Sequence, residues 1–418
     1  VIMSEACQNE NKKSSKIKGI VMIAICIRVI VLLFIAFFAN NMSEGFVGSS
    51  TYYDDYRYEK GAEYYAQNAT SLIDVSAFMS AFASVGDWVG NKLSNPFEST
   101  PLWYWIVCIL TYLTKTVWSI RILNILLASF TIVYVFRFTD LIYGDRTATK
   151  ASYLLALLPY PVIFSCFSYK DQLVMFITFY LLYIAEKYRM SNVIKKKDIF
   201  AVLIFSLMLM LTRSGFSILL FLVCFVIAFV KKLTDIKKYK KKLLAIGFFG
   251  IITICILLIQ YSDIIIYKFE YYIIRHENTL DKTTIAYLTI NGIRDIYKLP
   301  FTYIFSMIMP IEMFGEVTSW YSIVANFNII MCPISVGAAL YVFKKKPDKL
   351  VYWCCLMLYI FSIITSINIF RHYYSLIPFS LIFFSDYWCR ASGIEKLICG
   401  LVSLTYATLL IVFYGVLQ

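Results

Sequence analysis

Long apolar runs separated by short basic clusters dominate the chain, and a run of about 20 apolar residues is what a membrane-crossing helix needs. The first is Ile17 to Ala39, with Lys12, Lys13 and Lys16 ahead of it and Lys18 at its start. It is too long for a signal-peptide core and no small-residue cleavage site follows it, so it reads as an uncleaved first span. Further runs fall near Arg121–Thr139, Ala151–Phe167, Leu173–Ala185, Ile199–Leu211, Phe216–Val230, Leu243–Tyr261, Tyr321–Phe343, Leu350–Ile367, Tyr373–Phe384 and Leu397–Val416. The pattern predicts an all-α polytopic membrane protein of about eleven transmembrane helices, forming a single domain over residues 1–418.

Charge orients these spans. With the N-terminus in the cytoplasm, the inner segments carry 25 Lys and Arg and the outer segments 13, with Arg28 inside the first span. This is the asymmetry of the positive-inside rule. It leaves Pro101–Val117 without room to cross, because a crossing there would put Arg137–Lys150 and Lys187–Lys197 outside, and the same parity argument applies to Leu299–Met313 and the basic segments that follow it. Both are expected to dip into the outer leaflet as re-entrant or juxtamembrane helices, backed by protein or a water-filled cavity. Two large outer loops follow, at 40–100 and 262–320.

Composition sharpens this picture. Hydrophobic residues make up 60% and charged residues 16%, with a mean hydropathy of +0.71. A soluble domain is about half apolar and a quarter charged. A soluble enzyme, a disordered chain and a fibrous chain are thereby excluded. The net charge of +13 lies in topology-setting clusters such as Lys195-Lys196-Lys197, suited to anionic lipid headgroups and not to nucleic acid. Of the 11 cysteines, Cys26, Cys108, Cys224, Cys255, Cys354 and Cys355 sit inside apolar runs as small hydrophobes, and no cysteine pair has zinc spacing.

Candidate chemistry lies in the first outer loop, where Asp54-Asp55-Tyr56-Arg57-Tyr58 precedes a helix-like stretch from Ala62 to Ala69. Two adjacent carboxylates can supply a general base or hold a divalent metal through oxygen, or can form a solvated acidic loop. Asp171 follows Lys170 at the edge of a span, and Arg213, Arg371 and His372 stand at outer ends. Cations at membrane edges are costly and are functional candidates, although long side chains also snorkel to headgroups. The aromatics Tyr52, Tyr53, Tyr56, Tyr64, Tyr65, Trp103, Tyr104 and Trp105 suit an interfacial belt.

The order of these elements resembles the GT-C-fold membrane glycosyltransferases, in particular the protein O-mannosyltransferase and lipid A aminoarabinose transferase branch (glycosyltransferase family 39-like). Asp54-Asp55-Tyr56-Arg57-Tyr58 resembles that branch's Asp-Glu-x-Arg-Tyr signature. Gly86-Asp87-Trp88 matches its Gly-Asp-Trp. Phe97-Glu98 through Pro101-Leu102-Trp103-Tyr104-Trp105 resembles its Glu-Lys-Pro-Pro-Leu-x-Tyr-Trp box. Arg121 through Tyr143-Gly144-Asp145-Arg146 resembles its Arg-Leu and Phe-Gly-Arg pair. Tyr169-Lys170-Asp171 occupies the place of its second outer carboxylate, and Arg371-His372-Tyr373-Tyr374 through Pro378 resembles its late Tyr-x-x-Pro element. The likeness covers roughly residues 20–190 and thins afterwards. Ser99-Thr100-Pro101 departs from the usual basic residue before the proline pair, and Asp55 replaces the usual Glu.

The resemblance implies an inverting enzyme that moves a sugar from a polyprenyl-phosphate donor to a hydroxyl of a surface glycan, lipid or protein. Its site would lie on the outer face of a multi-pass protein of the bacterial plasma membrane. Asp54, Asp55 and Asp171 would be catalytic, and Arg57, Tyr58, Lys170, Arg213, Arg371, His372 and Tyr373 would bind substrate. No cofactor is expected beyond a divalent metal that Asp54 and Asp55 could hold. Two other readings stand beside it. One is a polysaccharide polymerase or ligase working on a diphosphate-linked oligosaccharide, with Arg275-His276 in the late outer loop. The other is a non-enzymatic lipid or sugar transporter.

Overall fold

The computed structural model describes residues 2–39, 54–88, 101–235, 297–298, 328–365 and 374–416. Among them every regular element is helical. In chain order these are α1 (Ile2–Ala39), α2 (Asp54–Asn68), α3 (Val75–Trp88), α4 (Pro101–Thr114), α5 (Trp118–Tyr143), α6 (Asp145–Leu157), α7 (Pro159–Phe164), α8 (Asp171–Ser191), α9 (Lys196–Thr212) and α10 (Ser214–Asp235). After these come α11 (Cys332–Leu340, flanked by 3₁₀ turns), α12 (Lys349–Thr365), α13 (Ile377–Arg390) and α14 (Gly393–Val416).

Two stretches among the described residues are long and apolar enough to cross a bilayer: Asn11–Phe37 in α1, with 27 residues, and Trp118–Tyr143, with 26. At 1.5 Å per residue each spans about 40 Å against a hydrocarbon core of about 30 Å. Pro101–Thr114, Gly215–Phe229, Ile329–Phe343 and Lys349–Ile360 are shorter apolar helices. The expected run Ala151–Phe167 is broken: α6 stops at Leu158, whose ψ of 134° is extended, and α7 restarts at Pro159. Residues before a proline disfavour the helical region, which places the break there. The acidic stretch of the first loop is also more ordered than its sequence suggests, with α2 beginning at Asp54 and running through Gly61.

The interior is an apolar and aromatic core, as in a soluble protein, but the exterior is not polar. Outward faces carry apolar stripes at helical spacing, such as Phe200, Leu203, Leu207 and Met210 on α9 and Ile394, Leu397, Leu401 and Leu404 on α14. The interior holds Arg28, Asn124, Gln172, Glu186 and Asp386 among aliphatic and aromatic side chains. Exposed apolar area on this scale marks a surface made for lipid or partners.

Helix directions follow from side-chain contacts. α5 and α8 run parallel, since Asn124 meets the backbone at Phe167 and Tyr169 while Tyr134 and Phe138 meet Phe176 and Phe179 further along. α9 returns against α8 through Phe205, which touches Phe176 and Tyr180, and α10 runs back beside α8 with Phe229 on Tyr188. α1 opposes α5, since Lys13 reaches Asp140 at 2.7 Å, and Lys16 reaches Asp145 at 2.6 Å at the start of α6.

The bundle therefore has two ends. At one, ion pairs gather at helix termini: Lys187 to Asp198 at 3.0 Å, Arg189 to Asp348 and to Glu186 of its own helix, Lys344 to Glu395, and Arg390 to Asp386 within α13 at 2.9 Å. Asp386 also accepts from the Tyr341 hydroxyl at 2.6 Å and the Thr147 hydroxyl at 3.3 Å. Lys195–Lys197 and Lys344–Lys349 lie here, so this is the lysine-rich end. The first turns of α5, α8 and α10 lie at the other.

Candidate functional site

At the end away from the lysines, a largely buried charge pair ties α2 to the bundle. Arg121, in the opening turn of α5, grips Glu59 of α2 with a two-pronged contact, Nε to Oε1 and Nη2 to Oε2, each 2.8 Å. Such a fork matches a carboxylate in a way a lysine cannot. The Ser168 hydroxyl donates to the same carboxylate. Trp118 lies under the guanidinium, 4.7 Å from ring centroid to Cζ. Only 4% of Arg121 is exposed, so the ion pair is desolvated and breaking it leaves an uncompensated charge.

The loop that carries Ser168 is strapped down on both sides. Trp103 of α4 donates its indole N–H to the Ser168 carbonyl at 3.1 Å, and Asn124 donates to the Phe167 and Tyr169 carbonyls at 2.6 and 2.9 Å. Three residues after Ser168, Asp171 opens α8, where a helix N-terminus favours negative charge. Gln172 donates to the Tyr374 hydroxyl at 2.8 Å, and that hydroxyl lies 3.2 Å from the Pro161 carbonyl, to which it donates.

Beneath this loop sits Arg28, wholly buried in the middle of α1. Its guanidinium donates to the carbonyls of Leu155 at 3.0 Å and Ala156 at 3.3 Å in the last turn of α6, and to Ala24 at 3.2 Å in its own helix. In an uninterrupted helix the Leu155 carbonyl would accept from the N–H of residue 159, which is proline and has none. Arg28 supplies the missing donor, and its charge lies at the negative end of the α6 dipole.

Asp54 and Asp55 form the first turn of α2, and Asp55 precedes Glu59 by one helical turn, about 6 Å along the axis. The side chains of Asp54, Asp55 and Arg57 lie outside the described ones. Tyr58 is buried edge-on against Trp103 and Tyr104, with centroids 6.5 and 4.8 Å away. Asp171 is buried and Lys170 half-buried beside it. Arg213 forms the link between α9 and α10, with its guanidinium 5.3 Å from the Phe216 ring. Arg371, His372, Tyr373, Arg275 and His276 lie outside the described residues, as do 299–313 and most of the loop 262–320.

Comparison with protein-family models, curated proteins and solved structures finds no match, so the site rests on its own geometry. The anchor fixes the acidic first turn of α2 and the start of α8 at one end of the bundle. Sequence reading left out Glu59, whose signal was its position one turn after Asp55, and treated Arg121 only as part of a motif. Trp103 and Trp105, expected in an interfacial belt, are instead packed: Trp103 is fully buried and Trp105 stacks on Phe78 at 3.9 Å. Asp74 closes the α2–α3 hairpin. It accepts from the Ala77 N–H at 2.9 Å and from Thr70, and these hydrogen bonds hold its carboxyl below the usual carboxylate value. Among the described residues no three of His, Cys, Asp and Glu converge as metal ligands.

Proposed function

We propose that the chain is a GT-C-like glycosyltransferase of the bacterial plasma membrane, with about eleven spans and its lysine-rich end in the cytoplasm. It would transfer a sugar from a polyprenyl-phosphate donor to a hydroxyl of a surface glycan, lipid or protein at the outer face. The observation that carries this reading is the Glu59–Arg121–Ser168 anchor, which holds the Asp54-Asp55 turn and Asp171 at the end away from the lysines. A lipid-linked donor fits that side, where nucleotide sugars are absent, and a polyprenyl tail suits the apolar outward faces.

In this mechanism the acceptor oxygen attacks the anomeric carbon while Asp54 takes its proton. The bond from that carbon to the phosphate oxygen breaks with inversion, and the electron pair leaves on the phosphate. Lys170, Arg213 and Arg371 are the cations offered to the developing charge, and such groups help most when they are stronger partners for the transition state than for the ground state. Glu59 and Arg121 act as positioning residues. Membranes containing the protein, incubated with defined polyprenyl-phosphate sugars, should form product. Asp54→Asn should lower the rate by about two or more orders of magnitude, the scale of general-base loss, at unchanged protein level. Wild-type turnover in that variant would remove Asp54 from the chemistry.

The break between α6 and α7 favours a second reading, transport, because interrupted helices with charged groups at mid-depth line substrate paths in transporters. Movement of a lipid-linked saccharide across vesicles with no new glycosidic bond would select it over transfer.

A further inference from the structure

The lysine-rich end carries a cavity that the proposed chemistry does not use. It has a volume of about 370 Å³ and is lined by Phe343, Lys344, Lys345, Lys346, Lys349 and Trp353, where the 3₁₀ turn after α11 leads into α12. Four lysines thus line one space. Lys344 is committed to Glu395. Lys346 is half-buried: it donates to the Val342 carbonyl and lies over the rings of Tyr352 and Tyr341, 4.7 and 5.4 Å from their centroids. Burial, with Lys349 nearby, holds its ammonium below the usual lysine value. Among the described residues no carboxylate pairs with Lys345, Lys346 or Lys349. Lys345, Lys346 and Lys349 therefore repel one another with no carboxylate paired to them among the described residues, and an anion in the cavity would relieve that repulsion.

The walls indicate which anion. Phe343 is 86% exposed and Trp353 50% exposed. Trp353 stands one turn after Lys349, so an aromatic and a cation share one face of α12. Exposed aromatics beside lysines at the end of an apolar helix are the composition of headgroup depth, where basic pockets between helices take anionic lipids. A soluble phosphate would use the lysines and gain nothing from Phe343 or Trp353.

We propose that this cavity is a binding site for the phosphodiester headgroup of an anionic lipid, with Lys345, Lys346 and Lys349 facing the phosphate and Phe343 and Trp353 facing the upper acyl chain. The test uses the full chain in phosphatidylcholine nanodiscs, with phosphatidylglycerol titrated in and retained lipid counted by native mass spectrometry. The wild-type protein should keep phosphatidylglycerol in preference to phosphatidylcholine. K345Q/K346Q/K349Q should bind it roughly a hundredfold more weakly, since each lysine near a membrane surface is worth about fivefold. W353A should weaken it while leaving the lysines in place. K195Q/K196Q/K197Q, at the same end but outside the cavity's lining, should retain wild-type binding, and circular dichroism checks that each variant is folded. Equal loss in the Lys195–Lys197 variant would overturn the proposal, showing diffuse attraction to the membrane. Displacement by inorganic phosphate or glycerol phosphate, with no effect of W353A, would also overturn it by assigning the cavity to a soluble phosphate.

Discussion

Arg28 donates to a carbonyl that a proline has orphaned, and the strength of that exchange is open to measurement. Replacing it by leucine strands the Leu155 and Ala156 carbonyls in the interior, at a cost of about 1–3 kcal/mol for each unpartnered group. Pro159→Ala returns an N–H to the helix, so Arg28→Leu should cost less in that background than in the wild type. A double-mutant cycle on thermal unfolding in detergent reads this coupling directly. Equal penalties in both backgrounds would separate Arg28 from the helix break. Glu59 sits in the reverse situation, as the acceptor of a buried cation. Glu59→Gln leaves Arg121 charged and poorly paired, a loss of about 3–5 kcal/mol for a desolvated pair. Hydrogen exchange should accelerate across α2 while α8 stays protected. Unchanged protection of α2 would mean that aromatic packing of Tyr58 and Tyr65 holds it without the anchor.

Single elements show where hydropathy reading reaches and where it stops. Ile17–Ala39 and Arg121–Thr139 fall within α1 and α5, because a long apolar run has few alternatives to a helix. Ala151–Phe167 reads as equally apolar, yet Pro159 and Pro161 divide it. Hydropathy averages over the prolines, and the donor that makes the break tolerable lies more than a hundred residues away in sequence. The start of α2 was hidden for a related reason: charged and aromatic residues gave no apolar periodicity, and the stabilising partner is again remote. α14, by contrast, announces its own start. Ser392-Gly393-Ile394-Glu395 forms a capping box in which Glu395 accepts from the Ser392 N–H at 2.8 Å and the Ser392 hydroxyl accepts from the Glu395 N–H at 3.4 Å. Lys344, with these bonds, pulls the Glu395 carboxyl down to about 2 from its ordinary 4.5. A depressed carboxyl contributes stability that is complete above the unfolded value and disappears as pH falls through the folded one. The advantage of wild type over Lys344→Gln should therefore be constant above about pH 4.5 and fade as pH falls toward about 2. Thermal midpoints measured across that window check it, and a gap that stayed constant to the acid end would remove the clasp from the acid response. Gly337 gives a steric counterpart. A Cβ there would stand 2.5 Å from the Phe384 ring, so Gly337→Ala should push α11 from α13 and lower the thermal midpoint.

For the whole molecule the decisive feature is that charge sorts the bundle into two unlike ends. The lysine-rich end was legible in sequence because the positive-inside rule acts locally, on clusters next to spans. The other end was legible only as a set of suspects, since nothing local says that Glu59, Arg121 and Ser168 meet. Orientation and function are linked through these ends: a lipid-linked donor fits the anchor end only if that end faces outward. Thr116 lies in the exposed link between α4 and α5, and Ser191 is exposed at the terminus of α8 on the lysine-rich end. Thr116→Cys should react with a membrane-impermeant maleimide on intact cells. Ser191→Cys should react only after the membrane is opened. Cys26 is exposed midway along α1 among other exposed apolar residues, so if α1 crosses the membrane as proposed a water-borne reagent should not reach it. Labelling of Ser191→Cys alone on intact cells would turn the bundle over and carry Asp171 to the side of the nucleotide-sugar pool, removing the physical ground for a polyprenyl-phosphate donor. Labelling of both on intact cells would mean that α5 and α8 do not separate two compartments, and the membrane-spanning arrangement itself would fall.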